Sequence, residues 1–436
     1  MSGSARHVLY VAWGFPPFGG SGTYRPLAAV NQLASIGARV TVLTADTHTF
    51  DLVKGSDPSL VALVDPGVKI VRIPMDHDDR DPVVNHWGAD RIADTRRWTR
   101  QRSVENGQEF PEAVYLPWLR PAAAAARALH DADPFDIVVA TGNPYIDFVV
   151  AMDLEAYAGV PFILDDRDAW LLDVYEGIPR ANVDEYQPWF DEALARCRAM
   201  WFVNPPIARW HREHYPWAAD KIDVVENGWD PLVLDLGPLE RRMGRPATPT
   251  ISFVGTLTPT LPVRTLAEGW RRARAQDPGL AGGQLRLVGQ RGYYASNTPN
   301  HGDVERDYAA DGVVFPGRIP AREVGRVYAD SDVLLFAKDG GRMVTSGKIY
   351  EYLATGLPIV AATGPDTDAH RVMAGYPRLF PADASDPDSV ATAMLDAFRD
   401  GASGPERRVE AAAFAARRRR GDALAAAFER WGVVES

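Results

Sequence analysis

The stretch HVLYVAWGFPPFGGSG, residues 7–22, opens on a nearly continuous apolar run and continues into a glycine-rich loop. Such an apolar run is typical of a strand that is buried on both faces of a parallel sheet. A helix pattern follows from 24 to 36, Gly37 ends it, and a second strand pattern spans 39–44. This strand–loop–helix–strand unit predicts a doubly wound α/β sheet.

The same alternation of strands and helices recurs along the chain. In the first half it predicts strands at 135–140, 160–165, 200–203 and 222–225, and a helix at 145–157. In the second half it predicts strands at 250–254, 284–288, 313–315, 333–337 and 358–362, and helices at 265–275, 321–329 and 348–355. Residues 236–249 are rich in glycine and proline, which is typical of an interdomain linker. We therefore expect two tandem α/β domains, at 1–240 and 250–405, followed by a helical segment at 406–436.

Composition narrows the class of protein. The chain has 436 residues, which suffices for two domains at about 100–200 residues each. Its one cysteine, Cys197, excludes a disulfide scaffold and a cysteine zinc cluster, and its nine histidines show no zinc-ligand spacing. A net charge of −11 argues against a nucleic-acid binder. No apolar run reaches the length of a membrane span, and no signal peptide precedes the first strand. These features predict a cytoplasmic enzyme.

The glycine-rich loop 14–22 lies where a doubly wound sheet binds its ligand, at the carboxyl end of the first strand. Its glycines would let backbone amides approach an anion beside a helix N-terminus. The alternative is a tight strand-to-helix turn without a ligand. A nicotinamide cofactor is disfavoured because the spacing is not G-x-G-x-x-G and Pro16-Pro17 lengthens the loop. Asp46, after the second strand, is therefore expected at the surface rather than on a ribose.

A second constellation begins the helix at 348–355. Thr345-Ser346-Gly347-Lys348 would expose free backbone amides, which form a phosphate site, and Glu351 lies one turn further on, within reach of a ribose. The alternative is an ordinary helix start, with Ser346 as the N-cap and Glu351 solvated.

Carboxylates also cluster at 165–168. Asp165, Asp166 and Asp168 could bind Mg²⁺, but Arg167 among them favours an ion-paired structural cluster. No metal site is therefore expected.

Seven segments together resemble glycosyltransferase family 4, in order, from about residue 7 to 363. They are HVLYVAWGFPPFGGSGTYRP, TGNPYIDFVVAMDLEAYAGVPFILDDRDAW, KIDVVENGWD, SFVGTL, LRLVGQ, VVFPGRI and TSGKIYEYLATGLPIVA. The resemblance implies a GT-B fold, in which two Rossmann-like doubly wound domains face a cleft, and metal-independent glycosyl transfer with retention. It also implies that the C-terminal helix crosses back to the first domain.

The resemblance implies roles for particular residues. The donor-binding positions would be Gly19, Gly20, Gly255, Thr256, Arg318, Ile319, Thr345, Ser346, Gly347 and Glu351. The acceptor-side positions would be Asn143, Tyr145, Asp147 and Phe148, with Arg167 and Asp168 organising that side.

The sequence also departs from the family pattern. The Arg–Lys pair that clamps the diphosphate in relatives is replaced by Thr256 and Leu261. Met343 replaces the earlier glutamate of the Glu-x7-Glu pattern, and Phe148 stands where a histidine is common. Since an unmatched diphosphate charge is costly in a closed site, another cation should serve. The predicted catalytic set is therefore Arg264, then Lys348, with Asp168 and Arg167.

The resulting prediction is a glycosyltransferase that uses a GDP-, UDP- or dTDP-sugar as co-substrate, needs no cofactor and modifies a soluble small molecule. High alanine and arginine usage suggests an actinobacterium, in which envelope and antibiotic pathways both use such enzymes. The lack of a clear membrane-docking face in the sequence favours antibiotic-type specialised metabolism. A site poor in bases suggests a thiol acceptor. One alternative is a transferase acting on a polyprenyl carrier at a membrane, through the arginines of 91–102 with Trp87 and Trp98. Another is a catalytically silent nucleotide-sugar-binding protein. The oligomeric state is left open.

Overall fold

The computed structural model describes residues 5–76, 81, 83–242, 244–292, 301–338, 341–401, 405–416 and 418–434. Their contacts divide the chain into two compact units. Unit 1 comprises Met1–Asp173, Ile178–Glu226 and Ala423–Ser436, and unit 2 comprises Val174–Gly177 and Asn227–Asp422.

Unit 1 contains a parallel sheet of seven strands in the order β3-β2-β1-β4-β5-β8-β9, and a short antiparallel pair, β6 and β7. The strands are β1 (His7–Val11), β2 (Arg39–Ala45), β3 (Lys69–Ile73), β4 (Ile137–Gly142), β5 (Phe162–Asp166), β6 (Leu172–Asp173), β7 (Ile178–Pro179), β8 (Ala199–Phe202) and β9 (Ile222–Val224). The helices are α1 (Tyr24–Ser35), α2 (Thr47–Val53), α3 (Ala89–Ala93), α4 (Thr95–Glu109), α5 (Leu116–Ala132), α6 (Ile146–Ala158), α7 (Val183–Arg196) and α8 (Pro205–His214). The apolar runs thus become buried parallel strands, as predicted.

Unit 2 contains a parallel sheet of six strands in the order β12-β11-β10-β13-β14-β15. The strands are β10 (Thr250–Val254), β11 (Gln284–Val288), β12 (Val313–Gly317), β13 (Val333–Ala337), β14 (Ile359–Ala362) and β15 (Leu379–Ala382). The helices are α9 (Gly237–Glu240), α10 (Val263–Gln276), α11 (Gly302–Asp307), α12 (Val324–Ala329), α13 (Gly347–Thr355), α14 (Asp368–Met373), α15 (Pro387–Gly401) and α16 (Pro405–Ala413). A last helix, α17 (Arg420–Arg430), runs from unit 2 into unit 1.

Each sheet reverses its strand order at one place. The reversal lies between β1 and β4 in unit 1, and between β10 and β13 in unit 2. In doubly wound sheets the ligand binds outside the carboxyl ends of the strands at this topological switch point. The loops after these four strands are therefore where a site is expected in each unit.

Two boundaries differ from those drawn on the sequence. Residues 227–240 belong to unit 2, because Leu234 and Leu239 pack in its core, so the segment predicted as a linker begins inside a folded unit. The segment 406–436 is not one helix. Ala411 of α16 packs in the core of unit 2, whereas Phe428 of α17 packs in the core of unit 1 against the central strands.

The arginine-rich segment after residue 76 forms helices α3 and α4 in its described part. The side chain of Arg91 is buried between the two tryptophans, with its guanidinium 3.8 Å from the ring centre of Trp87 and 5.2 Å from that of Trp98. Helix α4 has no buried residue, so it is a polar, solvated helix. Across the described residues, none of the helices combines the length and the apolarity that a membrane crossing demands.

Candidate functional site

The loop after β1 is filled by its own aromatic side chain. A Cβ on Gly20 would lie 2.3 Å from the Phe18 ring, and one on Gly14 would lie 2.8 Å from it. The Phe18 ring in turn packs on Trp13 and Phe50, with centroids 5.5 and 5.1 Å away. The backbone amide of Gly19 donates to the carbonyl of Gly55 at 2.9 Å. The glycines therefore make room for packing inside the loop.

A buried ion pair anchors the helix that follows this loop. Arg25, the second residue of α1, donates from Nε and a terminal nitrogen to both oxygens of Asp165, at 2.8 to 3.0 Å. It also donates to the carbonyl of Val225 at 2.9 Å. Sequence reasoning missed Arg25, because nothing local marks an arginine whose partner lies 140 residues away.

Arg167 does not pair with the neighbouring aspartates, so the predicted ion-paired cluster is wrong in this respect. Its guanidinium donates to three backbone carbonyls, those of Gly142 at 2.6 Å, Gly22 at 2.7 Å and Asn143 at 2.6 Å. It thereby ties the loop after β1 to the loop after β4. Asp165, one of the three aspartates in that predicted cluster, binds Arg25 instead.

The acceptor-side positions Tyr145 and Phe148 form part of a buried aromatic cluster. The Tyr145 ring stacks on Trp170 at 4.9 Å, and Phe148 meets Trp170 edge-on at 5.4 Å. All three side chains are buried. Phe148, which stands where relatives have a histidine, therefore contributes packing rather than acid–base chemistry.

Buried carboxyl groups with raised pKa values lie beside this cluster. Glu112 accepts a hydrogen bond from the Tyr145 backbone amide at 2.6 Å, and burial raises its pKa to about 7. Burial also raises the pKa of Asp166 to about 7 and holds the pKa of Asp147 well above its ordinary value. Asp147 accepts from the backbone amide of Trp13 at 2.9 Å. The acceptor-side loops are thus not poor in bases, contrary to the expectation from the sequence.

Several buried polar atoms in this region have no hydrogen-bond partner within the described part of the chain. They include Oδ1 of Asp147, Oδ1 of Asp166 and the hydroxyl of Tyr145. Unmade hydrogen bonds of this kind cost about 1–3 kcal/mol each, and they concentrate at functional sites. Asn143 and Asp168, the remaining predicted residues on this side, are exposed.

In unit 2, the start of α13 gathers five predicted residues. Ser346 caps the helix by accepting from the Lys348 amide at 3.3 Å, and Gly347 is its first residue. The Lys348 ammonium donates to Glu351 at 2.6 Å, and the Tyr328 hydroxyl donates to the same carboxylate oxygen at 2.8 Å. Glu351 is therefore held in place rather than solvated.

The Thr345 hydroxyl, just before this helix, donates to Asp368. A Cβ on Gly347 would meet only the guanidinium of Arg420, at 3.6 Å. This helix start therefore has the space that the loop of unit 1 lacks.

The remaining predicted donor residues are more scattered. Leu261, at a position where relatives carry a cation, is a buried core residue. Arg264, the second residue of α10, is 57% exposed and pairs with Asp307 at 3.3 Å. Gly255 and Thr256 follow β10 at the switch point, whereas Arg318 and Ile319 follow the edge strand β12, which lies three positions from β13.

The loop after β10 leaves little space near Gly255. A Cβ on Gly289, the residue after β11, would lie 1.7 Å from the Gly255 carbonyl oxygen, and the φ of Gly289 is +149°. Only glycine fits there, so the backbones after β10 and β11 touch.

One cation at the switch point of unit 2 escaped the sequence analysis. Lys338 directly follows β13, and burial lowers its pKa to about 8. A lysine at a strand end carries no motif, so only its position in the sheet reveals it.

Metal ligands are not grouped in the described residues, where no set of three or more histidine, cysteine, aspartate or glutamate side chains could hold an ion. Asp46, expected only as a surface residue, is half-buried; it accepts from the Thr49 amide at 2.9 Å and caps α2. Independence from metals and cofactors stays a prediction.

Residues 248–400, which include the sheet of unit 2 and helix α13, match the Glycosyl transferases group 1 family. The chain contains a group 1 glycosyltransferase domain. The enzyme class predicted from the sequence, glycosyltransferase, is thereby confirmed. A search among curated proteins gave no match to this glycosyltransferase.

Solved structures show that the glycosyltransferase has the GT-B fold of two Rossmann-like domains. A glycosyltransferase from Rickettsia africae ESF-5 is similar with a TM-score of 0.64 at 13% identity, over 98% of both chains. Alr3699/HepE from Anabaena, in complex with UDP-glucose, has a TM-score of 0.62 at 13% identity, over 97% of this chain and 98% of that one. Sucrose-phosphate synthase from Thermosynechococcus elongatus has a TM-score of 0.60 at 15% identity, over 98% of both chains.

Proposed function

We propose that this glycosyltransferase transfers a sugar from a nucleotide-sugar donor to a soluble small-molecule acceptor, with retention and without a metal. The observation that carries the donor half is the start of α13, where Ser346, Gly347 and the fixed carboxylate of Glu351 follow one another within the group 1 domain. Free amides at a helix N-terminus bind phosphate, and a carboxylate one turn further on accepts from ribose hydroxyls. Alr3699/HepE, which binds UDP-glucose, supports the same donor class.

The acceptor half is supported by side chains of unit 1 that lie around the loop after β4 and the end of β5. Glu112 and Asp166 hold protons near neutral pH, and the Tyr145 hydroxyl can both donate and accept. These groups suit an acceptor hydroxyl as well as a thiol, because a carboxyl with a pKa of about 7 can take up or give up a proton. We propose bacterial specialised metabolism of the antibiotic type as its setting, since α4 is a polar helix and its neighbouring tryptophans are covered by Arg91.

In the proposed reaction, the bond from the sugar C1 to the diphosphate breaks and its electron pair stays on the diphosphate. The acceptor oxygen or sulfur forms the new bond to C1 on the same face, and its proton passes to the departing diphosphate. The contribution of the chain is to fix the donor and to place positive charge where negative charge develops.

A thermal-shift comparison of GDP, UDP, dTDP and ADP tests the donor. We expect one nucleotide to raise the melting temperature, because a ligand at 100 times its Kd stabilises the folded state by about 2.7 kcal/mol. Glu351→Gln should weaken binding of that nucleotide and of its nucleoside alike, whereas Glu410→Gln, on the exposed face of α16, is the matched control. Absence of any shift in the wild type contradicts the proposed donor class.

Product formation tests the acceptor. With the matching nucleotide-sugar, release of nucleotide should require an added hydroxyl or thiol acceptor, and the product linkage should keep the anomeric configuration of the donor. Transfer that proceeds only with polyprenyl phosphate in anionic vesicles would replace the soluble acceptor by the membrane alternative. Nucleotide binding with no transfer to any acceptor would support the silent binding protein.

A further inference from the structure

Lys338 lies at the topological switch point of unit 2. It is the first residue after β13, its amide donates to the carbonyl of Ala362 at 3.0 Å, and β13 adjoins β10 in the sheet. Ligands of doubly wound sheets bind at this edge, outside the carboxyl ends of the two strands that flank the reversal. The backbone of Lys338 is therefore at the ligand edge of the group 1 domain.

The surroundings of the Lys338 side chain hold it in place without neutralising it. Its ammonium lies 4.8 Å from the ring centre of Tyr175, in a cation–π contact. Gly341 has a φ of +83°, and a Cβ on it would lie 3.3 Å from Cε of Lys338. The same Cβ would also lie 3.3 Å from the Val344 side chain. Residues 341–344 lead directly into α13, so the lysine stem runs beside the segment that begins the helix.

The charge of Lys338 is not matched by a carboxylate in the described part of the chain. Among the described residues, burial is the one cause that lowers its pKa, to about 8. Removing an ammonium from water is costly, and a nearby ring repays only part of that cost. An anion from outside the chain would supply the missing partner.

The other candidate cations of this edge are already engaged. Lys348 donates to Glu351 at 2.6 Å, and Arg264 is exposed and paired with Asp307. A diphosphate would have to compete with those carboxylates, whereas at Lys338 it would complete an ion pair.

On these grounds we infer that Lys338, rather than Arg264, binds the diphosphate of the donor and stabilises it as it leaves. The inference rests on the proposed function, because it requires a nucleotide-sugar donor. In the transfer step the diphosphate gains a negative charge when the C1–O bond breaks. The positive charge of the Lys338 ammonium, held in place beside it, would stabilise that negative charge. Lys338 thus replaces the Arg–Lys pair whose positions hold Thr256 and Leu261.

Calorimetric titration of the matching nucleoside diphosphate and of its nucleoside tests this inference. Lys338→Met should weaken binding of the nucleoside diphosphate by about 10- to 100-fold, which is the range for one charge-assisted hydrogen bond. It should weaken binding of the nucleoside by less than about threefold. Lys338→Arg should recover most of the lost affinity. Lys69→Met, at the exposed start of β3, removes a lysine from unit 1 and is the matched control.

Two further measurements separate ligand binding from a structural role. Lys338→Met should melt no lower than the wild type, because it removes a partly buried ammonium that has no carboxylate partner among the described residues. Diphosphate affinity of the wild type should fall as the pH rises from 7 to 9 while the ammonium loses its proton, and Lys338→Arg should abolish that fall.

Equal diphosphate affinity of Lys338→Met and the wild type, or the same loss in Arg264→Gln instead, would overturn the assignment of Lys338 while leaving the donor class intact. A wild type that binds no nucleoside diphosphate would instead overturn the proposed function, and the assignment with it.

Discussion

The loop after β1 in unit 1 and the start of α13 in unit 2 both lie at the ligand edge of a parallel sheet, yet their interiors differ. In unit 1 the side chain of Phe18 fills the space over Gly20, and the Gly19 amide is bound to Gly55. In unit 2 a Cβ on Gly347 would meet, among the described residues, only the guanidinium of Arg420, in ordinary contact at 3.6 Å. A glycine-rich loop can therefore serve the packing of its own unit, and only the neighbouring side chains tell this case from a site open to a ligand.

The charges at the two edges differ in the same sense. Arg25 in unit 1 is saturated by Asp165 and backbone carbonyls, and Arg167 by three carbonyls. In unit 2 the ammonium of Lys338 has an aromatic ring beside it and no carboxylate among the described residues. The cations of unit 1 hold the structure together, whereas a cation of unit 2 is left for a ligand.

The largest expected effect is on the buried pair of unit 1. Arg25→Met should lower the free energy of unfolding by about 3–5 kcal/mol, because it removes the ion-pair partner of the buried Asp165 carboxylate. The double variant Arg25→Met/Asp165→Leu should recover much of the loss. Urea unfolding measures the free energy of unfolding of both variants. A loss below about 1 kcal/mol in Arg25→Met would mean that the buried pair contributes no more to stability than an exposed pair such as Arg264–Asp307 of unit 2.

The two glycines provide a matched pair of substitutions. Gly20→Ala should cost about 1–3 kcal/mol, because the added Cβ overlaps the Phe18 ring, and Phe18→Leu in the same chain should relieve much of it. Gly347→Ala should change stability by no more than about 0.5 kcal/mol. If the two alanine variants unfold at the same urea concentration, the contrast between the loops is wrong.

The carboxyl groups of unit 1 predict a dependence of stability on pH. Folded Glu112 keeps its proton up to a pKa of about 7, whereas in the unfolded chain it loses the proton near its ordinary pKa of about 4.5. The unfolded state then binds fewer protons, so the free energy of unfolding falls as the pH rises between these values. Glu112→Gln should flatten this slope and keep the bond to the Tyr145 amide.

Glu109→Gln is the control for that measurement, since Glu109 is exposed and pairs with Arg120. The slope should persist in this variant. If the free energy of unfolding of the wild type does not change between pH 5 and pH 7, the raised pKa of Glu112 in the folded state is wrong.

The smallest expected effect is at the cap of α13. Ser346→Ala should destabilise the protein by about 0.5–1 kcal/mol, because the capping bond to the Lys348 amide is long, at 3.3 Å. The start of α1 has no side-chain cap of this kind on Thr23, so the two helix starts differ here too. Thermal melts of Ser346→Ala and of Ser346→Asp measure the effect, because aspartate can still cap the helix and alanine cannot.

The elements of both sheets could be predicted because parallel strands are encoded locally. Apolar runs such as those of β1 and β13 can be recognised from their own residues alone. Gly37 ends the first helix region because it adopts a φ of +89°, which glycine allows. The helix start at Ser346 could be predicted for the same reason, since capping acts over three residues.

Contacts between distant parts of the chain could not be predicted in this way. Glu112 meets the start of α6 from 33 residues away, and Arg25 meets Asp165 from 140 residues away. Arg167 has aspartates on either side in sequence, but the turn after β5 directs its guanidinium to backbone carbonyls. Leu261 falls at a position where a cation was expected and packs in the core instead. Side-chain direction depends on the folded backbone, which residue type alone does not reveal.

The position of α17 has a consequence for how the protein is made. Its residues Leu424, Ala427 and Phe428 pack against Val8, Tyr10 and Trp201 of unit 1, although all of unit 2 except a four-residue segment lies between them in the sequence. During synthesis the ribosome therefore completes unit 2 before it delivers the last layer of the first unit's core. Part of the apolar surface of unit 1 therefore stays uncovered until α17 has been synthesised, which happens only after the residues of unit 2 have been made.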